Sequence, residues 1–164
     1  MAIKVGDKLP EATFMTMSAD GPKPTTTAEF FNGKKVALFA VPGAFTPTCH
    51  KTHMPGFVGR AEELTKKGYT IACTSVNDAF VLAQWAKDTG ATGKITMLAD
   101  GSADFAKKIG LEIDLTARGL GVRSKRYAMA VDNGVVKALN VEDAPGSVDK
   151  SSAETMCSMI DKSL

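Results

Sequence analysis

The sequence predicts an α/β fold with a central mixed β-sheet flanked by helices. Three observations carry this. Short apolar runs at 35–41, 69–75 and 95–98 alternate with amphipathic stretches of helical length, the pattern of βαβ units. Two further strand-like runs, 126–131 and 135–139, flank Asn133-Gly134, the strongest short hairpin signal in the chain. The first pattern calls for parallel strands and the second adds antiparallel ones, so the sheet is mixed. A closing amphipathic helix is expected over 152–162.

From the N-terminus, residues 2–17 read as extended, with Ala12 to Met17 alternating like a half-exposed strand. Asp20-Gly21-Pro22-Lys23-Pro24 reads as a turn. A short helical turn at 28–31 ends at Asn32-Gly33. After the strand at 35–41, a helix is expected over 47–66, kinked at Pro55 and capped by Gly68. A strand follows at 69–75, then a helix at 78–87 with Asn77 as N-cap. The strand at 95–98 precedes a helix at 102–109. Residues 111–124, with Gly119 and Gly121, read as loop with some strand. No repeat, low-complexity run or long linker divides the chain, so residues 1–164 are expected to form one domain.

Composition narrows the function classes. A hydrophobic content of 44% with 23% charged residues is ordinary for a globular protein. A net charge of +2 gives no reason to expect a nucleic-acid partner, and the small basic group Arg118, Arg123, Lys125 and Arg126 reads as a local site. No apolar stretch has the length of a membrane helix. The first residues lack a signal-peptide core, which points to a cytoplasmic protein, or an organellar one if a transit peptide has been removed. The three cysteines, Cys49, Cys73 and Cys157, form no C-x-x-C pair; they read as reduced thiols, one of them functional.

Cys49 is that one. It follows a buried-strand pattern and lies near the start of a helix, with Thr46 as N-cap and Pro47 at the first helical position. A thiol there meets unpaired backbone N–H groups and the positive end of the helix dipole, both of which favour thiolate over thiol. The surrounding Pro42-Gly43-Ala44-Phe45-Thr46-Pro47-Thr48-Cys49 resembles the P-x-x-x-T-x-x-C active-site motif of peroxiredoxins. With Lys51 to Phe57, Ser75 to Val81, Leu98-Ala99-Asp100, Lys125 to Met129 and Lys137 to Glu142, it resembles the type-5 (type II) subfamily in particular.

This resemblance implies a thioredoxin-like fold. It also implies a thiol peroxidase acting on hydrogen peroxide and alkyl hydroperoxides through a Cys49 sulfenic acid, with no metal, flavin or haem. Cys49, Thr46, Arg126 and Pro42 are its catalytic candidates: Thr46 orients peroxide, Arg126 stabilises the thiolate and holds the peroxide oxygens, and Pro42 shields the sulfur. Thr46, Cys49, Arg126 and Gly43 are expected to bind substrate. A homodimer is likewise implied. Arg123 is the rival to Arg126, which is preferred because Lys125-Arg126-Tyr127-Ala128-Met129 matches the subfamily wording.

Cys73 and Cys157 are the two candidate resolving thiols. Cys73 lies on an expected central strand, away from the helix end where Cys49 is expected to be exposed. Cys157 shares the apolar face of the last helix with Ala153, Met156 and Ile160. Both therefore read as core, and the stretch 146–151, where some subfamily members carry a resolving cysteine, has none. A one-cysteine cycle recycled by glutathione or glutaredoxin is expected; alternatives are a thioredoxin-recycled two-cysteine cycle, a thiol–disulfide oxidoreductase and a non-enzymatic redox sensor or holdase. His53, four residues after Cys49, reads as a solvated helix residue, and Trp85, Phe80 and Val81 as core or subunit contact.

Overall fold

The computed structural model describes residues 2–163. Strand β1 (Thr13–Ser18) pairs antiparallel with β2 (Gly21–Thr26). The turn expected over 20–24 is thus mostly strand. β2 forms one edge of the sheet, and there Pro22 and Pro24 leave no ladder bond unmade, because only one side of the strand is paired. Helix α1 (Thr27–Phe31) follows, with Thr26 and Glu29 closing a reciprocal capping box.

The central strands are β3 (Lys35–Val41), β4 (Tyr69–Ser75) and β5 (Thr96–Ala99), parallel to one another as the βα alternation requires. β8 (Tyr127–Asp132) adds antiparallel to β3 and β9 (Val135–Val141) antiparallel to β8, giving the order β2-β1-β5-β4-β3-β8-β9. The hairpin turn has Asn133 at φ 49° and Gly134 at φ 80°, the left-handed pair that matches strand twist. A small second sheet of β6 (Glu112–Asp114) and β7 (Val122–Ser124) accounts for the mixed character of 111–124.

Alternation along β3 feeds two cores. Ala37, Phe39 and Val41 face one, with Phe57, Leu64, Trp85, Met156 and Ile160; Val36, Leu38 and Ala40 face the other, with Phe14, Phe31, Phe105 and Met129. Phe39 stacks on Phe57 with centroids 4.0 Å apart and planes within 6°. Burying a side chain of that size stabilises the fold by roughly 1.5–3 kcal/mol.

The helix expected over 47–66 is divided. Helical backbone begins at Pro47, but Cys49–His53 winds as a π-turn in which the Met54 N–H reaches the Cys49 carbonyl. Pro55 has no N–H to continue the ordinary ladder, and the wider register lies directly before it. Helix α2 (Met54–Gly59) then ends at Arg60 (φ −108°, ψ 10°), where α3 (Ala61–Lys66) begins, and Gly68 (φ 88°) follows as expected. Helix α4 (Ala79–Thr89) is capped by Asp78, whose carboxylate accepts from the Val81 N–H at 2.8 Å, and not by Asn77. Helix α5 (Asp104–Lys108) starts later than expected, because the buried Asp100 carboxylate accepts from the Phe105 and Ala106 N–H groups. Helix α6 (Ala153–Ser163) closes the chain. No helix among the described residues is long and apolar enough to cross a membrane.

Candidate active site

The sheet brings three chain segments to one end. β3 delivers the turn Pro42–Thr46 and Cys49 beyond its C-terminus, and β4 delivers Ser75 and Asn77 beside it. β8 runs antiparallel to β3 with Tyr127 opposite Ala40, so Arg126 enters at that same end.

The Cys49 sulfur accepts a hydrogen bond from Arg126 Nη2 at 2.8 Å. Hydrogen bonds from a charged donor such as a guanidinium are among the stronger ones a side chain makes. Arg126 is 2% exposed, and its other donors are also committed: Nε to the Pro145 carbonyl at 3.0 Å and Nη1 to His53 Nδ1 at 2.8 Å. A planar fork with three fixed partners has little rotational freedom.

His53 was expected in solvent and is instead buried, 1% exposed. Its Nε2 lies 2.8 Å from the Ser151 carbonyl. A carbonyl only accepts and a guanidinium only donates, so Nε2 carries the proton and Nδ1 presents its lone pair to Arg126. Burial, and then the adjacent Arg126 charge, push His53 down to about 3, against the pull of the bond to Ser151. The imidazole is therefore neutral, and it orients the arginine rather than forming a Cys–His dyad.

The Thr46 hydroxyl donates to the Gly43 carbonyl at 2.6 Å and does not cap the helix as expected. The Ala44 N–H bonds the Asn77 side-chain oxygen at 3.0 Å, and Ser75 Oγ donates to the same oxygen at 2.6 Å. Asn77 was expected to cap α4; its side chain braces the Pro42–Thr46 turn instead. Arg123, the rival arginine, does not replace Arg126. Its Nη1 donates to the Pro42 carbonyl at 3.2 Å and its Nε to the Leu120 carbonyl at 2.7 Å. A Cβ on Gly43 would come within 2.8 Å of that guanidinium, so a glycine lets Arg123 lie across the turn.

The cysteines need a correction. Cys49 is buried, not exposed, because α2, Arg126 and the turn close over it. Cys73 is core as expected, but it shares a cluster with Cys49 instead of lying away from it. Burial pushes its thiol well up, and the neighbouring Cys49 sulfur adds to the shift. Cys157 is buried on the inner face of α6, and burial, then Glu63, raise its thiol too. All three are free thiols.

Flanking the site, Trp85 is core, and its indole N–H donates to His50 Nδ1 at 3.0 Å. Phe45, held at φ 67°, stacks over His50 with centroids 5.7 Å apart and is 45% exposed. Phe80, on α4, is 67% exposed. Sequence reasoning missed His53, Asn77 and Ser151. Only His53 carried a signal, its i+4 spacing from Cys49 on one helix face.

Comparison with known proteins agrees with this geometry. The Redoxin family profile matches residues 4–157. Peroxiredoxin-2E, chloroplastic, from Arabidopsis thaliana is 51% identical over 160 residues, covering 94% of this chain and 68% of its own length. Peroxiredoxin-2D from the same plant is 46% identical over 154 residues, covering 93% and 94%. The structure of reduced Prx3 from Vibrio vulnificus in complex with hydrogen peroxide superposes with a TM-score of 0.91 at 50% identity, covering 96% of this chain and 99% of that one. The fold is thioredoxin-like; the chain belongs to the Redoxin family and is a peroxiredoxin, a thiol-dependent peroxidase.

Proposed function

We propose that Cys49 reduces hydrogen peroxide and alkyl hydroperoxides in a one-cysteine cycle of the type-5 kind, recycled by glutathione or glutaredoxin. The observation that carries this is the Arg126 guanidinium donating to the Cys49 sulfur at 2.8 Å. The thiolate attacks one peroxide oxygen, an S–O bond forms and the O–O bond breaks. Hydroxide, or alkoxide from an alkyl hydroperoxide, leaves and takes up a proton. Negative charge grows on the leaving oxygen, and Arg126 and the backbone N–H groups at Gly43 and the helix start stabilise it, while Thr46, its proton held by the Gly43 carbonyl, presents its oxygen to the peroxide O–H. Pro42 keeps water from the sulfur. The Cys49 sulfenic acid condenses with one external thiol, releasing water, and a second thiol reduces the mixed disulfide.

Burial of Cys73 and Cys157, with both thiols raised, supports the one-cysteine cycle, since neither is poised as a thiolate. A second reading, a thioredoxin-recycled two-cysteine cycle, is favoured by one observation: Cys73 lies near enough to Cys49 for the Cys49 sulfur to add to the upward shift of its thiol. The exposed rings of Phe45 and Phe80 beside the site support pairing of two copies. A chloroplastic name among the plant relatives favours an organellar over a cytoplasmic placement.

Peroxide consumption by wild type, Cys49→Ser, Cys73→Ser and Cys157→Ser, with glutathione plus glutaredoxin or with thioredoxin as reductant, tests both readings. We expect turnover with glutathione in all but Cys49→Ser. Turnover in Cys49→Ser would overturn the peroxidatic assignment. Loss of recycling in Cys73→Ser or Cys157→Ser would establish the two-cysteine cycle instead.

A further inference from the structure

Arg126 is held by the segment after β9 as much as by its own strand. Two of the carbonyls that fix it, Pro145 to its Nε and Ser151 to His53, come from residues 142–152, which are without helix or strand. One residue ties this segment down at both ends. The Glu142 N–H bonds the Arg126 carbonyl at 2.9 Å, extending the β8–β9 ladder by one step. Its carboxylate accepts from the Ser151 N–H and the Ser151 hydroxyl, each at 2.6 Å through the same oxygen. Glu142 is 7% exposed and Ser151 is buried. Glu142 forms no ion pair among the described residues. A buried carboxylate without an ion pair is expensive to keep, and two short hydrogen bonds are its compensation.

We propose that Glu142 is a positioning residue for peroxide reduction: by clasping Ser151 it closes the 142–152 loop, sets the Ser151 carbonyl against His53, and so aims Arg126 at the Cys49 sulfur. This deepens the reading above and rests on the assignment of Cys49 and Arg126. The chain of contacts is continuous, Glu142 to Ser151 to His53 to Arg126 to Cys49, and each link is 2.8 Å or shorter. A small misplacement of a catalytic group by a distant change costs on the order of 100-fold in rate. Removing the clasp acts at that scale while leaving every catalytic side chain present.

The test is the single-turnover rate of Cys49 oxidation by hydrogen peroxide, followed through the one tryptophan, Trp85, next to His50. Glu142→Ala is expected to lower the rate by about 100-fold. Glu142→Gln, whose amide oxygen accepts the same two bonds, is expected to recover most of it. The decisive comparison is a double-mutant cycle: Glu142→Ala added to Arg126→Lys should slow the reaction no further than Arg126→Lys alone, because the two act as one unit. A wild-type rate in Glu142→Ala, or losses that multiply in the double variant, would overturn the proposal. Should Glu142→Ala fail to fold, Ser151→Ala decides: it removes only the hydroxyl bond, an intermediate loss is expected, and a wild-type rate overturns the proposal. An inert wild type would instead overturn the assignment of Cys49.

Discussion

A neutral imidazole wedged between a guanidinium and a carbonyl gives this fold an acid sensitivity. His53 titrates at about 3 in the folded chain against an ordinary 6.5. Below about pH 6.5 the unfolded chain takes up a proton on His53 that the folded chain refuses, so stability is complete above that pH and falls on acidification toward pH 3. Urea midpoints should therefore drop from about pH 7 to about pH 4 in wild type, and His53→Gln should flatten that slope. Equal slopes would mean that other groups carry the acid sensitivity. Cys49 and Thr46 were legible in the sequence because their signal is local, a strand, a tight Pro-Thr turn and a helix start within eight residues. Arg126 was legible through its wording. His53 was misread because its partners lie 73 and 98 residues away, and no spacing along one helix shows them.

At the scale of elements, the start of α4 separates two adjacent side chains of similar chemistry. Asp78 caps the helix, while Asn77 holds the Pro42–Thr46 turn through Ala44. Asp78→Ala should lower stability by about 1 kcal/mol and leave the peroxide rate unchanged. Asn77→Ala strands the Ala44 N–H and the Ser75 hydroxyl, so it should lower stability by about 1–3 kcal/mol and slow peroxide reduction as well. Thermal unfolding and single-turnover rates on the two variants check the contrast; the reverse pattern would remove the brace from the site. Asn and Asp are equally good caps in a sequence, so the pattern located the helix and could not assign the cap. Likewise, Pro22 and Pro24 read as a turn because only the sheet order shows that their strand is an edge. The expected kink at Pro55 took the form of a π-turn before it and a second break at Arg60.

At the scale of the molecule, the topology explains why Cys49, after β3, and Arg126, before β8, meet. Parallel β3 and β4 end where antiparallel β8 begins, so one end of the sheet collects residues from three parts of the chain. That meeting was legible as an α/β alternation with a terminal hairpin, which dictated a mixed sheet before any contact was known. The burial of Cys49 was not legible, since it depends on α2, Arg126 and the turn closing together. Intact mass, recorded without reductant after one equivalent of hydrogen peroxide on wild type and Cys49→Ser, goes straight to the chemistry of that site. Gain of a single oxygen in wild type alone is the expected result, with no loss of hydrogens. Loss of two hydrogens would reveal an internal disulfide and contradict the one-cysteine cycle; no change in wild type would contradict Cys49 as the peroxide-reducing residue.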